Sequence, residues 1–414
     1  MTSLKNQLVL SLAFVVLLVS QGSASNAGIK LIGIVSVPGD TKDQSGLADT
    51  VGAGTPHNLF GAISAMEHLE GNRYLALADR GPLDGASQFQ CRFHEIELSI
   101  DVSRNPCVTF RLLGTTMLTT KDGRPLVGAL EAFDTSAPMQ GRRLDPEGIR
   151  IRNQDSVFVS DEYGPFLVEF SRSGRTQRQF PTPDSIAVTN LSADPKEEDA
   201  KNKTGRGANS GWEGLAITPD GTKLIAATQK SLLQDRLEEK GKKVPGIHTR
   251  LVEFDLSTAS STRQLVYTLD TAKNGVSELL AVGNSDFLIL ERDSEAGVKA
   301  KSKRIYHITT NHATDVSQQK SLAGNVLPDG VVPVTKSAFI DLLDPQWTLS
   351  GPKSPEKWEG LAFGPSLPDG RRVLMVAVDN DYVPEDPSLF AVFAIDAADL
   401  PEYCWENYSS AAGR

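Results

Sequence analysis

A short phrase recurs along this chain, and each copy is followed by strands in the same order. It reads Trp212-Glu213-Gly214-Leu215-Ala216, Trp358-Glu359-Gly360-Leu361-Ala362 and Pro146-Glu147-Gly148-Ile149. Weaker copies stand at Ser277-Glu278-Leu279-Leu280 and Gly61-Ala62-Ile63-Ser64. A turn after each copy leads into an apolar strand with polar ends: Tyr74 to Arg80, Val157 to Tyr163, Lys223 to Lys230, Asp286 to Asp293 and Arg372 to Asp381. A third strand follows every time, at Phe93 to Leu98, Leu167 to Ser171, Arg250 to Leu256, Arg304 to Thr309 and Leu389 to Ile395. Repeating a β-meander about an axis spares a long antiparallel chain its exposed edges, so the fold class is all-β and the architecture a β-propeller with five visible blades.

The markers Ile63, Ile149, Leu215, Leu279 and Leu361 are unevenly spaced, and farther apart than the roughly 40 to 50 residues of common propeller repeats. Large loops must therefore be inserted between strands. The stretches Cys107 to Pro138 and Asn311 to Asp344 leave room for a sixth blade. The segment from Gly28 to Pro38 alternates like a strand and has no unit of its own. It is expected to be the outer strand of the last blade, closing the ring.

A chain of 414 residues suits one propeller domain, expected over residues 26–414. Residues 1–25 carry Lys5, an apolar run from Leu8 to Val19, and Ser23-Ala24-Ser25, the pattern of a signal peptide with a small-residue cleavage site. The apolar run is shorter than the roughly 20 residues a membrane-spanning helix needs. The expectation is a secreted or periplasmic protein with no membrane span. Lys and Arg number 42 against 52 Asp and Glu, a net charge of -10. That balance argues against a nucleic-acid partner and fits a cation-binding or solubilised surface. In an oxidising compartment Cys91 and Cys107 are spaced to bridge a hairpin, leaving Cys404 over; free thiols are the other reading. Asn190, Asn202 and Asn407 head glycosylation sequons.

Two charged stretches, Pro181 to Gly211 and Gln234 to Gly246, flank the Trp212 copy. They read as exposed loops, either solvated insertions or carriers of binding residues above a rigid ring.

Glu147, Glu213, Glu278 and Glu359 read as one position in four of the five units. Rotation about the axis would bring them together at the central channel. Clustered carboxylates raise one another's pKa unless a cation intervenes, and oxygen-only ligands suit a hard cation such as Ca²⁺ or Mg²⁺. The expected metal ligands are Glu213, Glu278, Glu359 and Asp379, and the expected catalytic carboxylates Glu147, Glu213, Glu359 and Asp161. The strand ends add Asp79, Glu162, Glu291 and Asp381 as oxygen donors. Arg80, Arg250 and Arg292 are the expected phosphate-binding cations, Arg304 begins a third strand as Arg250 does, and Tyr163 is a hydrogen-bonding candidate. The competing reading pairs each Glu with an Arg to fix blade to blade, and leaves Trp212 and Trp358 as packing between blades. No Gly-x-Ser-x-Gly elbow, His-Glu-x-x-His pair or paired-Cys zinc spacing occurs, and none of the six histidines stands in an Arg-His-Gly context.

The series Asp145-Pro146-Glu147-Gly148-Ile149, Val159-Ser160-Asp161-Glu162-Tyr163-Gly164-Pro165 and Asn209-Ser210-Gly211-Trp212-Glu213-Gly214-Leu215-Ala216 resembles the phytase-like family, described as having esterase-like activity of phytase. The likeness continues through Leu288-Ile289-Leu290-Glu291-Arg292-Asp293 and Lys357-Trp358-Glu359-Gly360-Leu361-Ala362, covering roughly Gly61 to Ile395. It implies a secreted or periplasmic propeller acting on phosphoesters or esters. The first unit departs from the pattern, with Ala62-Ile63-Ser64 where Glu is expected, and the fourth has Leu279 where the others have Gly. Two functions stand at this point. One is a phosphoester or ester hydrolase of small molecules, assisted by Ca²⁺ or another hard divalent cation. The other is a non-catalytic propeller that binds a ligand or a protein partner on its loop face.

Overall fold

The computed structural model describes residues 28–136, 141–322, 324–401 and 403. The expected signal segment, Cys404 and the Asn407 sequon lie outside them. Five four-stranded antiparallel sheets form the blades. From the axis outward, the first blade is Ile63–Glu70, Arg73–Ala78, Arg92–Ile100 and Val108–Met117. The second is Pro146–Ile151, Ser156–Asp161, Leu167–Ser171 and Thr176–Phe180. The third is Trp212–Ile217, Lys223–Thr228, His248–Asp255 and Ser260–Thr268. The fourth is Gly275–Ala281, Asp286–Arg292, Lys303–Thr309 and Thr335–Asp341. The fifth is Lys357–Ser366, Arg372–Asp379 and Ser388–Ile395, completed by the N-terminal strand Lys30–Val37. That strand pairs from Lys30 with Ala394 to Val37 with Ser388, so the ring closes through hydrogen bonds between the two ends of the chain.

Among the described residues no sixth blade lies in the two long stretches. Each instead contributes the outer strand of a blade already counted, Val108–Met117 and Thr335–Asp341. Inner and second strands are buried on both faces and read as apolar runs; every residue of Arg372–Asp379 is buried. Outer strands have one wet face and one free edge, so their composition is mixed, and in Thr335–Asp341 only Phe339 and Ile340 are buried. The core is divided among the seams between neighbouring blades. Ile63, Met66 and Tyr74 of the first blade pack on Met375, Ala377 and Phe390 of the fifth. Trp212 and Trp358 are fully buried in such seams.

The charged stretch before Trp212 is not a loose insertion. Its helix Pro195–Lys201 starts at Asp194, whose carboxylate accepts the Lys196 and Glu197 amides. Glu198 and Arg206 are buried and ion-paired, and the Arg206 guanidinium donates to the Tyr163 carbonyl at 3.0 Å. The second charged stretch carries a small hairpin, Leu237–Glu239 with Lys242–Val244. Cys91 and Cys107 are both free: the first is buried with its Sγ 3.4 Å from the Leu144 carbonyl, and the second approaches the Ile32 carbonyl at 2.7 Å. Asn202 is buried with its amide donating to the Asn190 and Glu198 carbonyls, which removes it as a glycan acceptor in the folded state. Among the described residues no helix is long and apolar enough to cross a membrane.

Candidate functional site

Each inner strand begins at the same mouth of the channel where its partner strand ends, so the phrase and the polar strand ends converge there. All five inner strands carry a bulge at this end, falling between Ile63 and Ala65, Pro146 and Gly148, Trp212 and Leu215, Val276 and Glu278, and Trp358 and Leu361. The register equates Ser64, Glu147, Glu213, Ser277 and Glu359. A bulge re-aims its side chain, here toward the mouth. The next position is crowded by the neighbouring inner strand. A Cβ on Gly214 would meet the Leu279 nitrogen at 2.7 Å, and one on Gly148 the Leu215 Cβ at 2.6 Å. Glycine in the recurring phrase thus reflects how closely five inner strands must approach around a narrow axis.

In the fourth blade the register shifts by one against the sequence reading. Glu278 pairs with Leu290 just as Gly148 pairs with Ser160, so Ser277 holds the mouth position and Glu278 does not. The Glu278 carboxylate lies 3.0 Å from Arg150 and accepts the Leu215 amide at 3.2 Å. Arg150 also donates to the Met66 carbonyl at 2.9 Å and the Leu279 carbonyl at 2.8 Å, and lies 3.8 Å from Glu67. This one guanidinium, 1 % exposed, reaches from the second blade to the first and the fourth across the channel.

The mouth itself opens into a cavity of about 210 Å³. Asp79, Glu147, Glu162, Glu213, Glu356 and Glu359 line it, against Arg80, Lys230, Arg292 and Lys357, so carboxylates outnumber cations. Asn209, Gln229 and Ser294 complete the wall. Three of the cations are held by carboxylates. Arg80 donates to Asp145 at 2.6 Å, Asp84 at 2.5 Å and the Asn209 side chain at 2.9 Å. Arg292 is paired with Glu359, and Lys357 lies 2.8 Å from Asp379 and also contacts Asp381.

Three carboxylates remain under-compensated. Glu147 is 6 % exposed and has no hydrogen-bond or ion-pair partner among the described residues. Glu162 Oε1 and Glu213 Oε2 are buried with no hydrogen-bond partner, as is Asp145 Oδ1. Oxygens of Glu147, Glu162 and Glu213 lie within 4.8 Å of one another, as do those of Asp79, Asp145 and Glu147. Burial first, then the charges of Asp79, Glu213, Asp145 and Glu162, push the Glu147 carboxyl well above the usual range. Burial and Glu359 do the same to Glu213 against the opposing pull of Arg292. Burial, followed by Glu213, pushes Glu162 up to about 8. Three oxygen donors so placed are either protonated or gathered around a hard cation, which suits their oxygen-only chemistry.

Of the residues singled out in the sequence, the structure brings together Glu147, Glu213, Glu359, Arg80 and Arg292, with Asp379 just behind Lys357. It also brings in Asp79 and Glu162, with Asp381 against Lys357. It leaves out Glu291, which pairs with Lys336, and Arg304, which pairs with Asp341, and four others. Glu278 serves Arg150. Asp161 is fully buried and accepts the amides of Asp145, Tyr163 and Gly164 at 2.9, 3.2 and 2.7 Å, which shapes the turn beneath the site. Arg250 is fully buried beside Asp235 at 3.1 Å and Gln264 at 2.9 Å in the third blade. Tyr163 is 2 % exposed, its hydroxyl 3.3 Å from the Gly128 carbonyl and its ring under Arg80 and Arg143. Sequence reasoning missed Asp145, Asn209, Gln229, Lys230, Ser294, Glu356 and Lys357. Asp145 and Lys357 were legible in principle, since both stand within two residues of a repeated Glu.

The family model for phytase-like proteins, described as esterase-like activity of phytase, matches residues 58–382. An uncharacterized secreted protein of Arthroderma benhamiae is 29% identical over 458 residues, covering 86% of this chain and 87% of that one. Among solved structures, virginiamycin B lyase from Staphylococcus aureus is similar with a TM-score of 0.34 at 9% identity, over 89% of this chain and 100% of that one. Hydrazine synthase of Kuenenia stuttgartiensis is similar with a TM-score of 0.32 at 10% identity, over 77% of each chain.

Proposed function

The chain belongs to the phytase-like family, and from that premise we propose that it is an exported hydrolase of small phosphoesters, working at the channel mouth with a hard divalent cation such as Ca²⁺. The single observation that carries this reading is the trio Glu147, Glu162 and Glu213, buried and mutually within reach, with Glu147 unpartnered among the described residues and one oxygen each of Glu162 and Glu213 left without a hydrogen bond, beside Arg292, Lys230 and Lys357. Glu147, Glu162 and Glu213 would hold the cation, with Asp79 and Asp145 adjoining. Bound there, a hard cation polarises a phosphoryl oxygen and lowers the pKa of a water ligand.

The chain's own groups do the rest. Arg292 and Lys230 face the oxygens of an anionic substrate, and the pairing of Arg292 with Glu359 holds the guanidinium in place. Glu359, pushed up to about 7 by burial against the pull of Arg292, is placed to exchange a proton near neutral pH. Arg80 is saturated by Asp145, Asp84 and Asn209, so it fixes the acidic wall and leaves substrate contact to the other cations. Export rests on the signal-like segment at residues 1–25 and agrees with the relative named as secreted. Phosphate release by the mature protein from phytate and from p-nitrophenyl phosphate, with added Ca²⁺ and with EDTA, tests the reading. Release that needs Ca²⁺ supports it; folded protein that releases nothing under either condition overturns it.

A further inference from the structure

Beside the Glu147, Glu162 and Glu213 trio lies a second carboxylate cluster, Asp79, Asp379 and Asp381, whose oxygens also fall within 4.8 Å of one another. The two clusters are joined, because Asp79 belongs both to this group and to the one with Asp145 and Glu147. One difference separates them. The trio of glutamates encloses no cation and has only Arg80, committed to Asp145 and Asp84, at its edge 3.6 Å from Glu162, whereas the aspartates surround the Lys357 ammonium: Asp379 Oδ2 at 2.8 Å, Asp79 Oδ2 at 3.8 Å and Asp381 in direct contact. Lys357 also lines the cavity, so its ammonium faces the same space as the trio.

Two oxygen clusters side by side, here linked through the Asp79, Asp145 and Glu147 group that takes one carboxylate from each, are the layout in which hydrolases place two metal ions to hold the attacking and leaving oxygens of a displacement. We propose that here one of the two cations is part of the chain: the Lys357 ammonium fills the second position permanently, and the mouth therefore takes up a single divalent cation. The backbone is committed to this arrangement. Asp381 and Tyr382 both adopt positive φ, 50° and 55°, and the Asp381 amide donates to Asp379 at 2.6 Å, folding the strand end back onto the ammonium. The groups facing Lys357 are Asp379 and Asp381 from its own blade, Asp79 from the first blade, and Glu359 two residues along its own strand. A fixed ammonium cannot be chelated away, so its charge at the mouth survives EDTA.

This deepens the hydrolase reading and shares its cation, but its test needs no turnover. Ca²⁺ bound per chain is counted by equilibrium dialysis and calorimetry for the mature protein and for K357A, K357R and K357A/D381N, each shown folded by circular dichroism. The expected counts at the mouth are one for the wild type and K357R and two for K357A, with the second cation weakened at least tenfold in K357A/D381N. A wild-type count of two, or a folded K357A that still takes one, overturns the proposal and leaves the hydrolase reading standing. A wild type that binds no cation overturns both. Should K357A fail to fold, the wild-type and K357R counts decide: one in each supports the ammonium as second cation, and two in either overturns it.

Discussion

The channel contains two groups of buried glutamates from the same repeated region, and they are held in opposite ways. At the Arg150 level, Glu278 and Glu67 share one guanidinium, and Glu278 also accepts backbone amides. At the mouth, Glu147 has no partner, and Glu162 and Glu213 each keep an oxygen without one. Between Glu278 and the pair Glu147 and Glu213 the difference comes from a single residue of register. A bulge residue points to the mouth, and its neighbour points into the crowded ring, where the other blades supply the hydrogen bonds. Buried carboxylates that the fold itself satisfies are structural, and those it leaves unsatisfied need either a proton or a ligand.

The contrast is broken most strongly at Arg150. Replacement by Met leaves Glu67 and Glu278 buried without their cation, and removing one partner of a buried pair costs about 3–5 kcal/mol. A urea melt of R150M should show that loss, whereas E147Q, which removes only like-charge repulsion, should melt at or above the wild type in EDTA. Activity should sort the two groups in the reverse order. E147Q and E213Q are expected to lose about 10²-fold or more in kcat for phosphate release, and E278Q to stay within a few-fold. Comparable losses in E147Q and E278Q would erase the distinction.

Stability against pH sharpens it further. Burial, against the pull of Arg150, pushes Glu67 and Glu278 up to about 7. Because the folded pKa exceeds the unfolded one, their contribution is fully present below about 4.5 and is lost as pH rises through about 7. In EDTA the melting temperature should fall over that window, and E278Q should flatten the fall. Added Ca²⁺ should restore stability more at pH 8 than at pH 5, since the mouth carboxylates must be ionised to bind it. The smallest effect expected is none: reductant should leave the melting temperature unchanged, as Cys91 and Cys107 are not bridged.

The blade repeat was legible because inner and second strands are apolar on both faces and announce themselves as runs. The outer strands were not, since Val108–Met117 and Thr335–Asp341 are mixed in composition and sit at edges. Part of the mouth was legible from the recurring Glu, which marks Glu147, Glu213 and Glu359. The error at Glu278 has a physical cause: a bulge changes register without changing composition, so spacing along the chain cannot reveal which of Ser277 and Glu278 faces the axis. Asn209 and Lys230 were invisible for another reason. They come from a packed connection and a strand end, and only the ring geometry places them beside the carboxylates.

The most direct test of this account is a calorimetric Ca²⁺ titration of the wild type, E147Q and E278Q at pH 8. Equal binding is expected of the wild type and E278Q, and at least tenfold weaker binding of E147Q. Undiminished binding by E147Q, or a loss confined to E278Q, would contradict it.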